Sequence, residues 1–564
     1  MPDGIYKDLD AVMDEMPTQP PRQHEAKPDA AAWPLSRLPS PPSTPSTDLA
    51  EVVAGAALGP IEGFRGELQT DVARRGPFGE ASGILRTLPD AVAVPVDADD
   101  VAALLRWASA HGMKLIPRGA GTGMPGGNVG HGVSVDLMSH FHQPAVVDAD
   151  GCTATVSVGT TLAELNVAAS AHRLHFPVDP SSGERCTFGG MIANNSGGSH
   201  TVRHGSTRAW VDALEVVLAD GTRVRTVRGE RERHPRLAAI LARVDAALAP
   251  HAETIVAKWP AVRKNSSGYA LRDYLETGDA VDLLVGSEGT LGLVTRAVVR
   301  LAPVPAARGL ALLEFTDLAA AGAAVERILE LRPATCEIID RTFIDLVRKG
   351  AEDPGYPLRE GLEAILFVEF EAATEGEVAA SLAALGAQVA GVADRVTVAA
   401  DQAQRDRFWH VRHAASPLIA RLAGNRISMQ FIEDGVVPVP RLADYIRLLR
   451  RVLGEHELPA VIFGHAGDGN LHVNPLVDVA RPGWREEAEA IVYQVAEGVA
   501  ALGGTMAGEH GDGRLRAPLI ETIFGGETVE CFRAVKRAFD PAGILNPGVI
   551  LPLPGQRPLD AIRY

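Results

Sequence analysis

The sequence predicts an α+β protein with at least two domains. Three observations carry this. A chain of 564 residues exceeds what one hydrophobic core organises. Its first regular half mixes strands, helices and a hairpin instead of repeating βαβ units. A later stretch, roughly 304–520, shows a separate strand and helix pattern.

The elements follow in chain order. Residues 1–47, with the Pro-, Ala- and Ser-rich stretch 17–47, bury too little apolar surface to fold and read as a disordered tail. Residues 48–87 read as a helical lead-in. The first domain is expected over 88–303. AVAVPV (91–96) is a strand, and Val101, Leu104, Leu105 and Ala108 recur with helical spacing behind the acidic caps Asp97 and Asp99. Strands are expected at 114–117, 133–137 and 153–158, and Thr161-Leu-Ala-Glu164 is a capping box opening a helix. Residues 214–226 form a hairpin about Asp220-Gly221. The second domain, 304–520, holds strands near 310–315, 364–370 and 461–464 and helices near 319–331, 377–385 and 442–453. Residues 521–564 form a C-terminal segment ending in a Pro-rich stretch.

Composition narrows the function. Hydrophobic content of 46% and charged content of 22% are those of an ordinary globular enzyme. The net charge of −17 argues against nucleic acid as a partner. No apolar run reaches the ~18–20 residues of a membrane span, and the start MPDGIYKDLDAVMDEM has no secretory pattern. Four scattered cysteines without CxxC suggest neither disulfides nor an iron–sulfur cluster. A cytoplasmic setting is the expectation, with peripheral attachment to a membrane left open.

Gly121-Thr-Gly123-Met-Pro-Gly126 formally matches GxGxxG, but a nicotinamide-type fingerprint must open a helix. Here Pro125 and further glycines lead towards another strand, so that reading fails. The loop can still bring backbone N–H groups against a pyrophosphate; taken alone, a surface turn remains open. PRGAGTGMPGG (117–127), DPSSGERCTFGGMIANNSGG (179–198) and GSEGTLGLVT (286–295) occur in that order. Together they resemble the FAD-binding domain of the vanillyl-alcohol-oxidase and p-cresol-methylhydroxylase (PCMH) flavoproteins.

That resemblance implies a two-domain flavoprotein: a PCMH-type FAD-binding domain and a ferredoxin-like antiparallel-sheet cap that takes the substrate. It places Pro117, Arg118, Gly119, Ala120, Gly121, Thr122, Gly123, Gly126 and Gly127 on the pyrophosphate. Pro180, Ser181, Ser182, Thr187, Gly189, Gly190, Asn194, Ser196, Gly197 and Gly198 line the flavin and ribityl chain. Glu288, Gly289, Gly292, Val294 and Asn546 complete the cofactor set. No His or Cys lies within 117–127, so the FAD is expected to be non-covalent. His204 stands where relatives often carry Tyr.

VIFGHAGDGNLHVNP (461–475) reads as two strands with His465 and His472 either side of a tight turn, and His472 and Asn474 share a face. GGTMAGEHGDGR (503–514) offers Glu509 and His510. Two His and one Glu with an open position suit a divalent metal, zinc first; satisfied polar residues are the alternative. The two motifs resemble the C-terminal signatures of FAD-linked D-2-hydroxy-acid dehydrogenases, the D-lactate, glycolate and D-2-hydroxyglutarate enzymes. The resemblance implies metal ligands His465, His472 and Glu509 and a general base, His510. It also places Arg412 of Trp409-His-Val-Arg412 on the substrate carboxylate, which a guanidinium fork suits; a surface salt bridge is the plain alternative. Asn474 is expected on the substrate oxygens. Ile432 stands where some dicarboxylate-handling relatives carry Lys, which tilts the expectation to a monocarboxylate, although Arg426 could substitute.

The expected activity is therefore oxidation of a D-lactate-like 2-hydroxy acid by hydride transfer to flavin. Its partners are the hydroxy acid, an electron acceptor of open identity (quinone, cytochrome, flavoprotein or separate iron–sulfur protein) and a second copy in a homodimer. An oxidase using O2, a glycolate-oxidase-like subunit of an electron-transfer complex, an ether-forming synthase of this fold and a zinc hydrolase are the competing readings.

Overall fold

In the computed structural model, residues 61–230, 234–349, 356–413 and 426–564 are described. The 17–47 tail and the first part of the lead-in lie outside them. From Ile61 the chain forms one contact unit. The rest of the expected helical lead-in departs from expectation. It holds strand β1 (Glu67–Gln69) and two single turns, Val72–Arg75 and Gly76–Gly79. Gly63, Gly66, Gly76, Pro77, Gly79 and Gly83 interrupt every helical run there.

Strands β2 (Ala91–Val94), β3 (Leu115–Arg118) and β4 (Val133–Asp136) join β1 in the order β1-β2-β4-β3. Helix Ala98–His111 covers this sheet; the Asp97 side chain caps it, accepting from Asp99 and Asp100 N–H, and Gly112 ends it at φ +67°. The crossover from β3 to its parallel neighbour β4 contains no helix. The Gly-rich stretch is thus a wrapped loop, not a nucleotide-binding helix start.

A second sheet uses β5 (Val146–Asp148), β6 (Thr153–Ser157), β8 (Val211–Val217), β9 (Arg223–Val227) and β10 (Leu293–Arg300) in the order β5-β6-β10-β8-β9. Short β7 (Leu174–His175) and β11 (Ala302–Pro303) pair beside it. The predicted hairpin forms, with Val217 opposite Arg223 and Gly221 at φ +81°. The Thr161/Glu164 capping box forms with both reciprocal bonds.

Strands β12 (Ala307–Phe315), β13 (Thr335–Asp340), β14 (Ala364–Ala372), β15 (Arg395–Val398), β16 (Ile427–Ser428), β17 (Gly435–Val436), β18 (Ala460–His465) and β19 (Asn470–Val477) build an antiparallel sheet. Among the described residues its order is β15-β12-β14-β13-β18-β19-β16, with β17 on β19. Helices Leu318–Glu330 and Leu442–Glu455 pack their apolar stripes on one face of this sheet. The other face carries a second apolar cluster, including Leu312, Ile339, Phe367 and Phe408, and a row of buried carboxylates, Glu337, Glu369 and Glu371. Helix Ile520–Phe539, broken at Gly525 (φ +75°), packs on helix Pro235–Leu248. The chain then returns to β3, where Leu545 bridges Leu115.

Candidate active site

The three Gly-rich segments converge on one cavity of about 1310 Å³, its open mouth included. Residues 117–123, Gly127, Pro180, Ser181, Ser182, Thr187, Gly189, Gly190, Asn194, Ser196, Gly197, Glu288, Gly289, Gly292 and Val294 all line it, as do Glu509 and His510. The glycines let these segments pack closely around it. A Cβ on Gly119 would stand 2.4 Å from Thr187 Oγ1, and one on Gly289 (φ +70°) 2.3 Å from Pro117 Cγ. A cavity of this size lined by glycine-rich backbone suits a dinucleotide.

Three expected cofactor residues do not line the cavity. Gly126 sits behind the loop, where its carbonyl accepts from Arg514. Gly198 backs onto Asp179. Asn546 is buried and donates to the Gly127 and Glu288 carbonyls at 2.8 Å each. It is a strut between loops, not a wall.

Glu288 is fully buried, and its carboxyl accepts from the Asp512 and Gly513 N–H groups at 2.7 and 3.0 Å. Burial, with Asp512 nearby, pushes it up from 4.5 to about 8. The folded protein therefore binds a proton that the unfolded chain releases. Glu288's contribution to stability is fully present below pH 4.5 and is lost as pH rises towards 8. The melting temperature of the wild type is expected to fall more steeply between pH 6 and 9 than that of Glu288→Gln. Parallel slopes would remove Glu288 from this account.

At one end of the cavity the cap sheet brings the expected metal ligands together. Phe463 faces His472 and His465 faces Asn470 across the β18–β19 hairpin. His465 Nε2 lies 3.2 Å from His472 Nε2, and Glu509 Oε1 lies 3.1 and 3.3 Å from them. Each imidazole is held at its other nitrogen. His465 Nδ1 donates to Glu337 at 2.6 Å, and His472 Nδ1 to Glu433 at 3.3 Å. Both Nε2 lone pairs then converge with a carboxylate oxygen, an arrangement that demands a cation. Burial pulls the His465 pKa down, yet the Glu337 and Glu509 charges hold it up at about 9. A divalent ion meets the same demand, with an open position left among three protein ligands.

His510 lies beside this triad, its Nε2 3.7 Å from Glu509 Oε1. Its Nδ1 donates to Glu433 at 2.8 Å. Against the pull of burial, Glu433 and Asp434 raise it to about 9, so without a cation on the triad Nε2 holds a proton near neutral pH, and a divalent ion beside it would favour its release. Of the expected catalytic and metal residues Glu509 and His510 line the cavity, and His465, His472, Arg412 and Asn474 do not. Arg412 is buried over the Phe463 ring at 4.8 Å, with Nη2 and Nε both donating to Glu337 at 2.7 and 3.1 Å. Asn474 is half-buried and accepts from Gln430 at 3.1 Å. Arg426 is exposed beside Val477 and Asp478, past the far end of β19. Ile432 is packed in the apolar core.

Several supporting residues escaped sequence reasoning. Lys264 is fully buried with Nζ 2.5 Å from Glu509 Oε2. Asp434 accepts from the Glu509 and His510 N–H groups. Glu433 joins His472, His510 and buried Arg516. Against burial, the His510 and Arg516 charges keep Glu433 ionised well below the usual carboxylate range. The pair Glu433-Asp434 directly follows Ile432, a position singled out in the sequence, and was the available signal; Lys264 carried none.

Comparison with known proteins agrees with this geometry. The chain matches the FAD binding domain family over residues 89–227 and the family of FAD linked oxidases, C-terminal domain, over 304–550. It is 32% identical to the glycolate oxidase subunit GlcD of Bacillus subtilis over 474 residues, 83% of this chain and 90% of that one. It is 32% identical to the D-lactate dehydrogenase of Archaeoglobus fulgidus over 461 residues, 82% of this chain and 91% of that one. The D-2-hydroxyglutarate dehydrogenase of Pseudomonas putida is 31% identical over 525 residues, 86% of this chain but 51% of its own length. Among solved structures, 4-ethylphenol oxidase from Gulosibacter chungangensis has a TM-score of 0.63 at 16% identity, covering 86% of this chain and 94% of that one. The p-cresol methylhydroxylase structure has a TM-score of 0.62 at 15% identity, with the same coverages. Those structures show the fold, and the sequence relatives show the family: the chain belongs to the FAD-linked oxidases, flavoprotein oxidoreductases built from a PCMH-type FAD-binding domain and an antiparallel-sheet cap.

Proposed function

We propose that the chain oxidises a D-2-hydroxy monocarboxylate of the D-lactate kind to its 2-oxo acid. The observation that carries this reading is His510 at the cavity wall, beside the His465–His472–Glu509 triad and with its tautomer set by Glu433. FAD held non-covalently in the cavity supplies the acceptor for the C2 hydride, and a divalent ion on the triad, zinc first, supplies Lewis acidity towards the hydroxyl.

The chain's own groups do the rest. Arg412 and Asn474 stand behind the cavity lining; with substrate bound, Arg412 would offer its carboxylate the guanidinium N–H groups that Glu337 does not use, and Asn474 would orient the substrate oxygens. His510 Nε2 takes the hydroxyl proton as general base. Glu433 keeps Nδ1 protonated, so that nitrogen cannot compete. Cys186 also lines the cavity, but burial pushes its thiol up to about 11, so it offers no thiolate for a flavin bond. Buried Glu433 and Glu337 flank the site, which disfavours a second substrate carboxylate there. This supports the monocarboxylate.

Relatives named for three different 2-hydroxy acids make substrate choice the direct test. Anaerobic addition of D-lactate to the metal-loaded holoenzyme should bleach its flavin band stoichiometrically, faster than glycolate or D-2-hydroxyglutarate. Bleaching by D-2-hydroxyglutarate alone would overturn the monocarboxylate, and no bleaching by any of the three would overturn the reading. A relative named as an oxidase subunit supports a second reading, in which the chain passes electrons to a separate partner protein.

A further inference from the structure

A second group of imidazoles and carboxylates lies outside the active site, where the short helix Thr201–His204 meets β14. His200 and His204 are four residues apart, the spacing that stacks side chains on one helical face. Glu369 and Glu371 are two apart on a strand and share a sheet face. His200 Nε2 stands 3.6 Å from Glu369 Oε1 and 3.6 Å from Glu371 Oε1, and His204 Nε2 stands 3.7 Å from Glu371 Oε2. Hydrogen bonds of this type close to about 2.7–3.2 Å, and both Nε2 atoms are buried without a hydrogen-bond partner. Ligands about 2.0–2.2 Å from a tetrahedral ion are themselves about 3.3–3.6 Å apart. The two His200 spacings match such edges, and the His204 spacing is slightly longer.

The surroundings prepare the site. Asp179 clamps His200 twice, accepting from its backbone N–H at 3.0 Å and from ring Nδ1 at 2.6 Å. This fixes the ring with Nε2 towards the glutamates, as a carboxylate behind a metal-bound imidazole does. Arg308 Nη2, 2.8 Å from Glu371 Oε1, holds that carboxylate in place. With neutral imidazoles, three carboxylates against one guanidinium leave two negative charges for a divalent ion to balance. His175 adds none, since burial pushes it down to about 4. Arg203 is exposed and donates to the Glu371 carbonyl at 3.1 Å.

We propose that His200, Glu369 and Glu371 form a second divalent-metal site, with His204 beside Glu371, which takes zinc or another N/O-preferring transition ion and cross-links the FAD-binding side to the cap sheet. Glu369 also accepts from Trp409 at 3.3 Å. Trp409 lies three residues before Arg412 on helix Gln402–His413, so the cross-link braces the helix that carries Arg412.

Metal counting tests the proposal. Holoenzyme stripped with chelator, reloaded with Zn(II) and desalted should hold two ions per chain. His200→Gln and Glu371→Gln should each hold one, His472→Ala one, and His200→Gln combined with His472→Ala none. Zinc should raise the melting temperature of His472→Ala but not that of the combined variant. Retained flavin colour reports that each variant is folded. One ion in the wild type that His472→Ala removes, or His200→Gln and Glu371→Gln both still holding two, would overturn the second site. One ion removed by His200→Gln but not by His472→Ala would support it while sinking the metal at the active site.

Discussion

Replacing His510 with Ala should leave the protein yellow and slow reduction of its flavin by substrate about 10²–10⁴-fold, the usual contribution of a general base. The cavity loses one wall residue, while the Gly-rich segments that form its body stay intact. Glu433 keeps Arg516 and His472 as partners, so no buried carboxylate is stranded. Stopped-flow mixing with D-lactate reads the effect as a loss in the reduction rate constant without a matching loss of flavin. A rate within threefold of wild type would remove His510 from the proton transfer.

The proposed metal ligands should show a loss of similar size. His472→Ala withdraws one of three ligands and should lower the reduction rate constant about 10³-fold, since Lewis-acid stabilisation is worth several kcal/mol and each 1.4 kcal/mol is about tenfold. Chelator treatment of the wild type should reproduce the loss, and added divalent ion should restore the wild type but not the variant. His472 is a better target than Glu509, whose removal strands the buried Lys264 ammonium; breaking such a pair costs about 3–5 kcal/mol and confounds activity with folding. Full activity after complete chelation would end the metal-assisted mechanism.

Much of this architecture was legible because local signals and tertiary demands agree. Pro125 and the glycines after Gly121 forbade a helix, and the structure has none there. The β18–β19 hairpin followed from two apolar strands around Gly-Asp-Gly-Asn, and its register delivers His465 and His472 to one place. The lead-in failed because glycine and proline outweigh its helix formers. The site's supporting groups were hidden for a different reason. Glu433 turns to the histidines while its neighbour Ile432 enters the core, the alternation that extended backbone gives to adjacent residues. In the sequence position 432 stands out as a site residue, and the residue that faces the site is the next one. Lys264 had no periodic context at all, and only the fold brings it to Glu509.

Asn546 has a consequence for how the protein is made. Its side chain ties Gly127 to Glu288, and the adjacent Leu545 extends β3. The cofactor cleft of a domain synthesised early is therefore braced by residues that leave the ribosome more than 400 positions later than Gly127. During translation the earlier segments can collapse, but the cleft lacks that brace until the chain beyond the cap has emerged. Capture of the flavin is thus timed to the end of synthesis, and a ribosome-stalled or truncated chain ending before Leu545 should be colourless.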